Sequence, residues 1–82
     1  MNVYEYCNGR LSRINTKVYN LIAENQRLTR EREEVELSRS NNIGYKLKLI
    51  NDKIHNNSIE ISRLHSMRVE VAKIIEILNN ER

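Results

Sequence analysis

Two histidines, one cysteine and a run of glutamates are the side chains of this chain whose types could support catalysis or metal binding. His55 and His65 stand ten residues apart, almost three turns along a helix, too far to share one ion. Cys7 is the only thiol, so no zinc pattern and no internal disulfide can form, and no base at a telling spacing makes it a nucleophile. Glu31, Glu33, Glu34 and Glu36 resemble a cation site until Arg27, Arg30 and Arg32 are read with them. The mixture is that of a solvated helix face carrying pairs three and four residues apart.

Phosphate chemistry fares no better. Gly9 and Gly44 are isolated, neither follows a strand, and a loop that cradles phosphate needs clustered glycines. Asn56-Asn57-Ser58 matches a glycosylation acceptor but falls inside a helical pattern, and we discount it. No catalytic residue, metal ligand, cofactor site or small-molecule substrate is expected. One charge feature rises above background: Arg39, Lys46, Lys48 and Lys53 gather near the chain's midpoint with only Asp52 opposing, and Tyr45 stands among them. Such a set could touch phosphates and stack on a base. A second basic cluster, Arg10, Arg13 and Lys17, lies near the N-terminus.

The elements that carry these residues are helices. The chain has 82 residues, 39% of them hydrophobic and 30% charged, with no Pro, Trp or Phe and two Gly. That composition suits long helix and is too polar for a large core. The formal charge of +3 is mildly basic, short of the stripe expected of a dedicated nucleic-acid binder. The longest apolar stretch, Ile74 to Leu78, is interrupted by Glu76 and is far below the ~20 residues a membrane span needs. With one Cys and no secretory apolar segment, the cytoplasm is the expected location, that of the host cell if the gene is viral.

Steps of three and four residues organise both halves. Tyr4, Cys7, Leu11, Ile14, Val18, Leu21, Asn25, Leu28, Arg32 and Val35 form one seam, apolar at eight of ten places. Leu47, Ile50, Ile54, Asn57, Ile61, Leu64, Arg68, Val71, Ile75 and Leu78 form a second with the same proportion. Sustained spacing of about 3.5 residues marks a coiled coil. Asn2, with Glu5 three residues on, can cap the first helix, although Asn8-Gly9 leaves open a start nearer Arg10. The frames differ by one residue across Ser38 to Gly44, where Ser, Asn and Gly favour a turn. We therefore expect a single domain over residues 1–82, with a helix at 3–38, a turn at 39–44 and a helix at 45–80.

Folding the chain about Asn41 brings the seams into layers: Cys7 meets Ile75, Leu11 meets Val71, Val18 meets Leu64 and Leu28 meets Ile54. Asn25 falls opposite Asn57, so each amide would find its partner in the other. This coincidence favours an antiparallel two-helix coiled-coil hairpin whose register is set by one polar layer. Arg32 opposite Ile50 and Arg68 opposite Ile14 fit only if their stems lie along the seam with their heads in water. A competing architecture is an extended parallel dimer: over eleven residues, Val18, Leu21, Asn25 and Leu28 are similar to the middle of leucine zippers, where one seam Asn favours a parallel pair. The basic region of those transcription factors has no counterpart beyond Arg10, Arg13 and Lys17, and DNA binding is not carried over.

Tyr19 and Ile22 widen the apolar face of the first arm, and Met67, Ile74 and Ile77 that of the second. A stripe wider than two helices can bury calls for a second copy, giving a homodimeric four-helix bundle, or for a different protein docked in the groove. The expectation is a non-enzymatic protein-binding module: a small adaptor, chaperone or inhibitor. The abundance of Asn, Ile and Lys suits an A+T-rich genome such as that of a phage or low-GC bacterium. The alternative is a small dimeric bundle that binds RNA or DNA through Arg39, Tyr45, Lys46, Lys48 and Lys53.

Overall fold

The computed structural model describes residues 2–39 and 41–81; Met1, Arg82 and Ser40, the last within the expected turn, lie outside the described residues. Two helices, α1 (Val3–Leu37) and α2 (Ile43–Asn80), pack along their full length as an antiparallel hairpin measuring 63 × 16 × 15 Å. Helix α1 starts at the cap read from sequence: Glu5 donates its backbone N–H to Asn2 Oδ1 at 2.8 Å. It then runs through Gly9 without a break, which removes the later start near Arg10.

The turn is tighter than 39–44. Ile43 and Gly44 are helical, and the Lys46 N–H already bonds the Asn42 carbonyl at 3.0 Å. Helix α1 ends one residue early, with the Ser38 N–H and hydroxyl both donating to the Val35 carbonyl, at 3.1 and 2.7 Å. The left-handed backbone position falls on Arg39 (φ 53°), whereas Gly44, the natural candidate, is spent inside a helix. A side chain at such φ clashes with its own carbonyl, at a cost that glycine avoids.

All twenty seam positions are buried or half-buried, and every fully buried residue among those described lies in one of the two frames, with Met67 packed against them from outside. Leu28 and Leu64 are the most enclosed side chains, at 1% and 2% exposure. Cys7, Ile14, Val18, Leu64 and Val71 make one continuous cluster toward the open end, with Leu11, Leu21, Ile61, Met67 and Ile75 against it. Leu28 and Ile50 anchor the half nearer the turn. Between these halves sits the polar layer, in which Asn57 Nδ2 donates to Asn25 Oδ1 at 3.0 Å. The facing amides verify the antiparallel pairing and the register together, and the single chain forms the hairpin that the extended parallel dimer would have lacked. Among the described residues no helix is long and apolar enough to cross a membrane.

Replacing Arg39 by Gly should raise stability by about 1 kcal/mol, read as a higher urea midpoint at unchanged slope. A lower midpoint would contradict the left-handed assignment. For the polar layer, Asn25→Leu or Asn57→Leu alone should cost about 1–2 kcal/mol, because each strands the other amide, while the double substitution should recover most of that loss. Simple addition of the two single effects would show that the amides do not interact.

Candidate functional site

The side chains with catalytic potential are dispersed. Cys7 is 5% exposed inside the open-end core, packed as a small hydrophobe. His55 and His65 are both exposed on α2, and among the described residues no three His, Cys, Asp or Glu side chains gather where an ion could be held. In the Glu31–Glu36 run, Glu31 pairs with Arg27 at 3.2 Å across one turn of exposed helix, as the mixed charges implied. What the hairpin offers instead is helical surface, and that surface has two unlike sides.

Writing each seam as positions a and d of a heptad abcdefg, the antiparallel pairing sets g positions of α1 beside g positions of α2, and e beside e. On the e side lie Asn8, Asn15, Ile22, Thr29 and Glu36 of α1 and Asn51, Ser58, His65, Ala72 and Asn79 of α2, mostly amides and hydroxyls. The two seam arginines send their heads to this side. Arg68 Nη1 donates to Asn15 Oδ1 at 3.3 Å and Arg32 Nη1 to Asn51 Oδ1 at 3.1 Å, the same link made once in each direction. Arg68 Nη2 also donates to His65 Nδ1 at 2.8 Å. Their half-buried stems follow the seam as expected; the asparagine acceptors were not foreseen, because they lie outside the apolar frame and only the crossing of the helices brings them within reach.

The g side is charged and more apolar. A cleft of about 230 Å³ is lined there by Tyr6, Arg10, Arg13 and Lys17 of α1 and by Arg63, Leu64 and Met67 of α2. Arg63 is committed to Glu60 one turn away, donating from Nε to Oε2 at 2.9 Å and from Nη2 to Oε1. That bond, with the field of Arg63 and of Lys17, holds the Glu60 carboxyl below its ordinary range. Nearer the turn, Glu31 and Val35 share a groove with Lys46, Leu49, Ile50 and Lys53.

This geometry redistributes the residues singled out by sequence. His65 and Met67 are two residues apart, roughly 200° around a helix, and so point to opposite sides. Ile74, seven residues from Met67, and Ile77 therefore belong with Met67 on the g side, while Tyr19 lines a groove with Asn15 and Ser12 on the e side, next to Ile22. The single broad stripe is in fact two patches. Met67 is half-buried against the hairpin's own core, whereas Tyr19, Ile22, Ile74 and Ile77 are exposed at 74%, 44%, 45% and 57%. The basic tip is likewise divided: Lys46 and Lys53 lie beside Glu31, so Asp52 is not their only counter-charge. Lys48, two residues from Lys46, faces the other side, and Tyr45 is exposed on the outer surface of α2. By contrast Arg10, Arg13 and Lys17 do converge, and sequence alone could not show that Tyr6, Arg63 and Met67 join them.

No protein-family model matches this chain, and no curated protein or solved structure shows significant similarity to it.

Burial makes the thiol a reporter. Cys7 should react with a disulfide reagent only as fast as the hairpin opens, at least about a hundredfold slower than in ~6 M urea, and Cys7→Ser should lower stability by about 1–2 kcal/mol. Rapid labelling of the folded protein would show that the open end is frayed.

Proposed function

We propose that this protein is a non-enzymatic interaction module that works by presenting helical surface to protein partners, itself among them. One observation carries the reading: the hairpin buries one seam and leaves Tyr6, Tyr19, Ile22, Leu49, Ile74 and Ile77 between 44% and 74% exposed. A two-helix chain of this length has a core worth only a few kcal/mol, so covering those side chains is the available route to stability and to specificity. An adaptor, chaperone or inhibitor role fits a rigid rod with distinct faces better than any reaction does. We place it in the cytoplasm, where a lone buried thiol such as Cys7 has no bridge to make.

A nucleic-acid role through Arg39, Tyr45, Lys46, Lys48 and Lys53 would need those groups on one surface, and they are spread over several. Ionic strength separates the readings, because phosphate-driven binding collapses with salt while an apolar helix face keeps its partner at about 0.5 M. Tyr19→Asp, Ile22→Asp and Met67→Asp should each abolish either self-association in light scattering or capture of the partner at that salt. Retention of both by all three folded variants would overturn the proposal, as would tight RNA or DNA binding lost on Lys46→Gln/Lys48→Gln.

A further inference from the structure

Charge order along the g side of α1 is uneven. Arg10 and Lys17 come first, then Glu24 and Glu31, at seven-residue intervals along one flank. A second copy laid parallel would set like charges together; laid antiparallel, it would meet opposite charges at these four places, with Arg13 and Arg27 the one like pair on the flank. We propose that the g side is an interface with a second copy of this chain, docked antiparallel about a two-fold axis level with Asn20 and Leu21, so that Arg10 and Lys17 of each α1 meet Glu31 and Glu24 of the other. The inference rests on the interaction-module reading and names one occupant for one of its faces.

The second helix agrees at three places, although Ile77 falls across from Lys46. In the hairpin's own register, that axis is level with Ile61 and Ser62 of α2, and turning about it sets Leu49 across from Ile74, Lys53 across from Glu70 and Glu60 across from Arg63 of the other copy. Leu49 and Ile74, 44% and 45% exposed, thereby cover each other twice. The Glu60–Arg63 pair, already formed within one helix, becomes half of a four-charge cluster on the axis. The open-end cleft, with Tyr6 and Met67 between cations, receives the acidic half of the neighbouring α1. Because a two-fold is closed, the product is one four-helix bundle of two hairpins with no tendency to extend into filaments. The e side supplies no comparable order of charge: Asn8, Asn15 and Thr29 are neutral and Glu36 stands alone among the e positions of α1, and the apolar pair Tyr19 and Ile22 stays free for another protein.

The test is a charge exchange followed by sedimentation equilibrium at low salt, with helicity checked by circular dichroism. Arg10→Glu/Lys17→Glu carries four glutamates along the flank and should weaken self-association by more than about a hundredfold; Glu24→Lys/Glu31→Lys carries four cations and should do the same. Mixed together, the two should form a heterodimer at wild-type affinity or better. Since Glu31→Lys also approaches Lys46 and Lys53 and could unfold the turn half, Arg10→Gln/Lys17→Gln and Glu24→Gln/Glu31→Gln provide a milder pair, each expected to weaken the dimer about tenfold while remaining helical. A wild-type chain that is monomeric at all concentrations, or a dimer indifferent to these changes, would overturn the two-fold interface. Either result leaves the interaction-module reading to be judged by the Tyr19 and Ile22 variants, so the two failures are distinguishable.

Discussion

A single hydrogen bond between two amides, Asn57 to Asn25 at 3.0 Å, is the constraint around which the rest of the hairpin is arranged. An apolar seam by itself tolerates sliding by a heptad, since one leucine packs much like another. Two half-buried amides do not, because any other register strands both among hydrocarbons. Once they meet, Leu28, Ile50, Leu64 and Val71 fall into their layers, and the cross-helix links from Arg32 to Asn51 and from Arg68 to Asn15 come into reach.

Those links also give the molecule two sides. Both seam arginines turn their heads toward the e side, which is otherwise amide- and hydroxyl-rich, and leave the g side to ordered charge. There Glu31 shares a groove with Lys46 and Lys53, and Lys17 acts on Glu60. Opposite signs thus face each other between α1 and α2 only when the chain folds back on itself. The electrostatics reinforce an orientation that the amide pair already selects; exposed pairs of this kind are individually weak, and their value lies in discriminating against wrong arrangements.

The same thinness that makes the fold easy to specify leaves it incomplete. Among the described residues seven hydrophobic side chains are buried, while a larger number of big apolar groups remain in contact with water. No three His, Cys, Asp or Glu side chains among the described residues gather around one point, and the one thiol is buried in the core. The rod has an amide- and hydroxyl-rich side that holds both seam arginines and a charge-patterned side, and the functional proposal rests on that division of surfaces.

By itself the sequence determined the two seams, because heptad spacing depends only on the helix repeat, and the Asn25–Asn57 match by counting favoured the antiparallel pairing while a parallel dimer stayed open. The asparagine cap at Asn2 was legible for the same local reason. Three features were decided by tertiary structure alone. Arg39, not a glycine, takes the left-handed turn position, since the geometry of chain reversal chose the residue after α1 had ended. Asn15 and Asn51 became partners of distant arginines, as only the packed helices set their separation. Tyr19 with Ile22 and Met67 with Ile74 parted into separate patches, because the side on which a flanking residue lies depends on the direction of the opposing helix, which the sequence pattern of either arm alone does not contain.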